Sequence, residues 1–370
     1  VIDAPGPWAS GPFTLVEGRS LIHTEPVVTD GEDRTWLQTE DRSPTVRLRA
    51  NPHYWDRIRG PRVREVEFRN DLDRSRALDL VCDTVGEVDI VTEVPHRDAD
   101  RVRRSRHARL MTVDAVRALA GAIDRGADGL PLADVRARRA LNLAVDRAAL
   151  VHDLFGGHAR PLAGLTPPTA LTALHRAPGR LRPYPYDPSR AARLWRESGG
   201  ARRPLRLAAM ADCEAVAHAV AAQWHTALGL AVEVRVLRSA EEQREARRRQ
   251  AAELPRDWDV LLLEQGSQSV DVPPLELHRA FAGRSGEFRA GPVDPEFERL
   301  FGRLTAQRSQ VRQVLAANRI DRYVTDQALA LFLVAPQVLY AVNEHVDFTP
   351  YATTFELADT SVRRRHWSLR

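Results

Sequence analysis

"DVRARRALNLAVDRAALVHDLFGG", residues 134–157, is the most regular stretch of the chain. Val135, Leu141, Ala144, Val145 and Ala148 recur at three- and four-residue spacing, which places them on one face of a helix. Asp134 stands where an N-cap carboxylate accepts the free amides of the first turn. Gly156 and Gly157 stand where a helix ends in left-handed backbone. One long helix over 134–157 is therefore expected. The residues that follow, "HARPLAGLTPP" (158–168), cannot continue it, because proline has no backbone N–H to give and a fixed φ. The helix opens straight into a stiff loop.

Working outward toward the C-terminus, "YPYDPSRAARLWRESGG" (184–200) reads as a second helix, with Asp187 as cap, Pro188 in the first helical position and Gly199-Gly200 at its end. Strands and helices then alternate. "RPLRLAAM", "LAVEVRVL" and "DWDVLLLE" read as strands, and 212–228 and 240–252 as helices. Residues 294–329 are mostly helical in pattern, and "ALFLVAPQVLYAV" (330–342) is a buried apolar run. This is the rhythm of an α/β protein.

Toward the N-terminus the pattern is different. "FTLV" (13–16), "TVRLRA" (45–50), "RVREVEF" (62–68) and "ARLMTV" (108–113) read as short strands, several with period-two alternation. Residues 72–83 read as a helix, and 97–108 as a basic one. The Gly turn and short strand of "GEVDIVTEVP" (86–95) lie between them. Residues 28–44 read as a polar loop, and 346–370 as irregular.

A chain of 370 residues exceeds one compact core, so two domains are expected. With 43% hydrophobic and 28% charged residues it has globular composition. No apolar run is long enough to span a membrane. The chain opens on Val1 without a basic, then apolar leader, as a processed or trimmed product would. All 54 basic residues are arginine, a pattern that codon bias in a GC-rich genome produces, and 50 acidic residues offset them to a net charge of +4. Cys82 and Cys213 are too few for a disulfide framework and pair only if the fold brings them together.

Several chemistries lack their signatures. There is no phosphate-binding loop, no dinucleotide fingerprint, no G-x-S-x-G elbow and no His-Glu-x-x-His. His152 and His158 bracket a helix end and read as surface or capping residues; Asp257 and Asp259 flank a strand start with nothing to mark an acid/base couple. The basic runs at 101–109, 244–249 and 363–366 have few aromatic neighbours on which bases could stack, so solvated faces are the expectation.

Six ordered segments carry a resemblance. "DVRARRALNLAVDRAALVHDLFGGHARPLAGLTPP" is similar to the signature segment of the family 5 extracellular solute-binding proteins, the peptide- and nickel-type receptors of ABC importers. "SGPFTLVEG" resembles that family's Gly-Pro-Phe/Tyr strand, "VRLRANPHYWD" its Arg-Asn-Pro-x-Tyr-Trp turn, and "GEVDIVTEVP" its Gly-Glu-Val-Asp-Ile step. "YPYDPSRAARLWRESG" resembles the family's Tyr-Asp-Pro helix, and "WDVLLLEQGSQSVDVPP" stands in the place of its Asp-Pro loop.

The resemblance implies an α/β, two-lobed periplasmic-binding-protein-like fold of class II type. Residues 1–124 would be a first-lobe segment, 125–337 the second lobe, and 338–370 a return to the first. The crossings would fall near 116–124 and 338–346. The first lobe would be incomplete, since members usually carry well over a hundred further residues before the Gly-Pro-Phe strand. The family's ligand-facing loop would place Gln265, Ser267, Ser269 and Asp271 at the solute, with Arg160 after the glycine pair able to hold a carboxylate bidentately. The acid with which members pair a peptide's amino terminus falls at Ser269, with Asp271 close by. Residues 23–44 make a longer insert than members usually have.

The function so implied is non-enzymatic, with no cofactor and no metal. A monomer would hold an oligopeptide or other small solute in an interlobe cleft and pass it to ABC permease membrane subunits, at a periplasmic or cell-surface location. The alternative is the ligand-sensing module of a bacterial transcriptional regulator, cytoplasmic, with nucleic acid as a partner in that case alone.

Overall fold

The computed structural model describes residues 10–29, 32–168, 181–239, 241–243, 245–246, 256–266, 275–351 and 357–369. Two compact units emerge. The first comprises Val1–Glu25, Trp36–Asp114 and Val338–Arg370; the second comprises Pro26–Thr35 and Ala115–Gln337.

In the first unit, β1 (Phe13–Glu17), β4 (Thr45–Ala50) and β5 (Glu65–Arg69) form an antiparallel sheet in the order β1-β4-β5. The register Leu15↔Leu48↔Val66 follows the period-two pattern of the sequence. Residues 28–44 are not the polar loop expected, because β2 (Ser20–Thr29) and β3 (Glu32–Arg42) pair as a two-stranded sheet. The β-branched and aromatic residues of "TEPVVT" and "RTWLQT" favour extended backbone more strongly than their polar neighbours oppose it. α1 (Arg74–Asp83) is capped by Asp73, whose carboxylate accepts the Arg76 N–H at 2.8 Å. The expected basic helix over 97–108 shrinks to one 3-10 turn and α2 (Ala99–Arg104), since Ala108 already begins a strand. That strand, β7 (Ala108–Asp114), and the short β6 (Ile90–Val91) pair with the far end of β13 (Ala330–Asn343). Leu78, Val81, Cys82, Val91, Val102, Leu339 and Ala341 make the core there.

The second unit is built on one sheet. Its order is β11 (Val232–Leu237), β10 (Leu205–Met210), β12 (Val260–Gly266), β8 (Arg117–Ile123) and β13, with β9 (Ala159–Pro161) on the free side of β13. β10 runs parallel to both β11 and β12, whereas β8 is antiparallel to β12 and β13. Both faces are largely buried in β8, β10, β12 and β13, which is why those strands read as apolar runs, whereas the edge strand β11 alternates. Leu119, Leu207, Val260, Leu262 and Leu331 face one cluster, filled by α3 (Val135–Leu143), α4 (Arg147–Phe155), α5 (Pro188–Glu197) and α6 (Glu214–Leu228). Ala118, Ala120, Ala208, Leu261 and Phe332 face the other, filled by α7 (Leu275–Ala282), α8 (Pro295–Thr305) and α9 (Gln310–Asp326). The expected helix over 240–252 lies mostly outside the described residues.

The most regular stretch departs from expectation in one respect. Residues 134–157 form two helices, α3 and α4, rather than one. Asp134 caps the first and Gly156, at φ 55°, ends the second, as the sequence indicates. Asp146 breaks the run, because its carboxylate accepts the Ala149 N–H at 3.0 Å and starts a new helix. In a continuous helix Asn142 and Arg147 would point about 140° apart. The break lets both reach the outer edge of β13. Asn142 accepts from the Phe332 N–H at 3.0 Å and donates to the Ala330 carbonyl at 3.1 Å, while Arg147 donates to the Phe332 carbonyl at 2.6 Å. Side chains thus stand in for a further strand along that edge. Burial pushes the Arg147 and Arg138 guanidiniums down to about 10, so both stay charged at neutral pH. Arg138 is spent on the Leu132, Ala133, Gln327 and Ala328 carbonyls, the last two at the end of α9.

Candidate functional site

β10, β11 and β12 are parallel, so their carboxyl ends share one rim of the second unit's sheet. In open α/β sheets that rim is where side chains and helix starts converge on a ligand. Gln265 lies there at the end of β12, opposite Ala118 of β8. Arg160 lies at the centre of β9, opposite Ala335 of β13. Ala118 and Ala335 belong to the same core cluster, so Gln265 and Arg160 project from the same face of the sheet. The order β12-β8-β13-β9 separates them by three strand spacings, about 14 Å. Arg160 is exposed and Gln265 half-buried.

The backbone around Arg160 is firmly set. The Gln337 N–H donates to the His158 carbonyl at 2.9 Å and the Leu162 N–H to the Leu333 carbonyl at 3.0 Å, one on each side of it. His158, expected as a surface or capping residue, is buried against Gln337, with its Nδ1 3.3 Å from the amide oxygen, because β9 draws the chain onto β13. His152 is exposed beside Asp153. The stiff loop after the glycine pair turns inward as far as it is described, with Leu162, Leu165 and Thr166 all buried. Ser267, Ser269 and Asp271 lie outside the described residues.

The opposite face of the same rim holds residues that sequence reasoning missed. Arg117 Nη1 lies 3.2 Å from Glu264 Oε1, each partly exposed. They are far apart in the chain and meet only through the β8–β12 register, so no local signal marks them. Beside Glu264, burial pushes the Cys213 thiol up to about 12, and the nearby Glu264 and Asp212 carboxylates add to this. Such a thiol is no nucleophile. Cys82 and Cys213 are both free and buried, one in each unit. Asp259, at the other end of β12, is fully buried and held by Arg203 at 2.7 Å and Arg206 at 2.9 Å, while Asp257 pairs with Arg235. Both acids are committed to ion pairs. Among the described residues no cluster of His, Cys, Asp and Glu is grouped to hold a metal ion.

A guanidinium and a carboxamide on one face make a surface for anionic and amide groups. Arginine offers parallel donors to a carboxylate, and glutamine offers both a donor and an acceptor to a peptide group.

Comparison with known proteins agrees with this architecture. The model of the bacterial extracellular solute-binding proteins, family 5, middle region, matches residues 36–278. The glutathione-binding protein GsiB of Escherichia coli (strain K12) is 27% identical over 165 residues, which are 45% of this chain and 30% of that protein. GsiB of Shigella flexneri serotype 5b (strain 8401) matches to the same extent. Among solved structures, the ABC transporter substrate binding protein CtaP from Listeria monocytogenes superposes with a TM-score of 0.75 at 16% identity, over 95% of this chain and 66% of that one. NikA from Brucella suis, solved with Fe(III)-EDTA, gives 0.72 at 16% identity, over 96% of this chain and 68% of that one. These structures share the two-lobed fold of the periplasmic binding proteins. By the extent of the family match and the agreement of fold, the chain belongs to the family 5 bacterial extracellular solute-binding proteins.

Proposed function

We propose that the chain is a non-enzymatic receptor that captures an oligopeptide, or a similarly sized solute with a carboxylate, and delivers it to the membrane subunits of an ABC importer outside the cytoplasm. The observation that carries this is the placement of Arg160 and Gln265 on one face of the carboxyl rim, about 14 Å apart by strand spacing. An extended peptide rises about 3.3–3.6 Å per residue, so about four residues span that distance. Arg160 would take the terminal carboxylate, Gln265 a peptide group, and Ser267, Ser269 and Asp271 the remaining polar atoms. The relatives' names support solutes of this size: GsiB is a glutathione-binding protein and MppA of Escherichia coli a murein tripeptide binding protein.

The test is titration calorimetry with glutathione, tri- and tetrapeptides and nickel chelates. A peptide with a free carboxylate should bind, and Arg160→Ala should weaken it by about tenfold or more, the scale of one charge-assisted hydrogen bond. Amidating that peptide's terminus should weaken binding to the unaltered chain by a similar factor and leave Arg160→Ala indifferent. No heat and no thermal shift with any of these solutes would refute the proposal.

A further inference from the structure

The chain segments on either side of the rim are joined underneath it by one buried carboxylate. Asp321 on α9 is 2% exposed, and its partners His278 and Thr166 are 1% and 2% exposed. His278 Nε2 lies 2.7 Å from Asp321 Oδ1, and the Thr166 hydroxyl donates to Oδ2. Thr166 ends the buried turn that follows Arg160, and His278 sits in α7, the helix that follows Gln265 in the chain. One helical turn beyond Asp321, the Thr325 hydroxyl donates to the Ala163 carbonyl at 3.1 Å. Gly164 lies between these contacts, where an added Cβ would come within 3.0 Å of Thr325 Oγ1 and 3.2 Å of Asp321 Oδ1.

A buried carboxylate that loses a donor keeps its full desolvation cost. Neither segment can therefore shift by more than a fraction of an ångström without exposing Asp321 to that cost. The two oxygens act on different segments, so the position of one is tied to the position of the other. Leu162, Leu165, Leu277 and Ile320 pack around the network in the same apolar cluster that Arg160 and Gln265 face, which excludes water from it.

We infer that Asp321 is a positioning residue for the solute site: through Thr166 and His278 it fixes the turn that follows Arg160 and helix α7 in one mutual geometry. The role in solute capture rests on the function proposed above; the clamp itself can be read without a solute. In hydrogen exchange on the full chain, Asp321→Ala should raise exchange about tenfold or more across 160–168 and 275–282 together, the scale of a lost charge-assisted hydrogen bond. β10, β11 and α6 should keep their protection. Thr166→Val and His278→Leu cut one arm each and serve if Asp321→Ala does not fold: each should loosen the segment it holds, and Thr166→Ser, which keeps the hydroxyl, should restore protection in 160–168. With tetra-alanine as probe, Thr166→Val should bind about tenfold more weakly and Thr166→Ser as the unaltered chain does. Exchange that stays unchanged in these segments, or rises equally over the whole second unit, overturns the inference. If the segments loosen as stated but tetra-alanine and glutathione bind to no variant, the clamp stands and the functional proposal fails alone.

Discussion

Asn142 offers the sharpest test of how the second unit is held together. Its side chain is fully buried and makes four contacts: it accepts from the Phe332 N–H at 3.0 Å and from Arg147 Nη2 at 3.1 Å, and it donates to the Arg138 and Ala330 carbonyls at 3.1 Å. Asn142→Ala leaves the Phe332 N–H and the Ala330 carbonyl facing no strand and no water. Arg147 keeps its bonds to three other carbonyls within 3.1 Å, so it loses less. Two orphaned backbone groups at about 1–3 kcal/mol each put the loss at roughly 2–6 kcal/mol. Against a usual total of about 5–15 kcal/mol, that is enough to melt the unit or bring it close to melting. Asn142→Leu refills the space without the hydrogen bonds, so a similar cost there assigns the loss to the bonds and not to a cavity. Because a chain with two units need not unfold in one step, the readout should be local. Exchange at the Phe332 amide reports the bond directly, and urea unfolding followed by the same method reports its cost. A change below about 1 kcal/mol in both variants, with the Phe332 amide still protected, would refute the view that side chains replace a strand at this edge.

Three further outcomes follow from the structure. At Gly121 an added Cβ would come within 3.0 Å of both Leu262 Cδ2 and Leu331 Cβ. Gly121→Val should therefore cost about 1–3 kcal/mol in thermal or urea unfolding, and an unchanged midpoint would count against the packing described. Burial pushes the Asp259 carboxyl up, but hydrogen bonds from Arg203 and Arg206 outweigh it and hold the group below its ordinary value. Its stabilisation is present above the unfolded carboxylate pKa of about 4 and lost as pH falls through the lower folded value, so Asp259→Asn should destabilise at neutral pH by about 2–3 kcal/mol and flatten the acid limb of the stability curve. Cys82 is 3% and Cys213 1% exposed, and burial raises both thiols, so a thiol reagent at pH 8 should label neither until denaturant is added; fast labelling of the native chain would contradict the burial of both.

What the sequence revealed and what it concealed divide along the range of the interactions. Asp134, Asp187 and Gly156 act within one turn of themselves, so helix starts and ends were legible. The central strands were legible because burial on both faces leaves a mostly apolar run in β10, β12 and β13. The break at Asp146 carried a local signal that the apolar spacing overrode: aspartate is a poor interior residue and a good cap. The strands β2 and β3 carried another, Asp30-Gly31 between two β-prone runs, which is a hairpin signal. Asn142, Arg138 and Arg147 were not legible as core. Arg138 and Asn142 do fall at helical spacing from Val135 and Val145, but their polar side chains argue for solvent, and only the path of β13 and the end of α9 supplies the main-chain groups that let them, and Arg147, be buried. Arg117 and Glu264 needed the strand register, and the Asp321 network needed three elements at once.

The same division explains why the family is recognisable while the solute is not. Arg138, Asn142 and Arg147 give most of their hydrogen bonds to main-chain groups of α9, of β13 and of their own helix ends. A main-chain partner is the same whatever residue carries it, so such side chains can be retained while their neighbours change. Arg160 sits in a different situation. It is exposed on a strand paired through main-chain groups, and under the proposed function its identity follows the solute. The consequence is a dissociation of effects. Arg160→Ala should alter stability by about 1 kcal/mol or less while changing what binds, whereas Asn142→Ala should cost several times that without touching a rim residue. If Arg160→Ala destabilised the second unit as much as Asn142→Ala does, the rim would be part of the scaffold, and framework and recognition would not be separate.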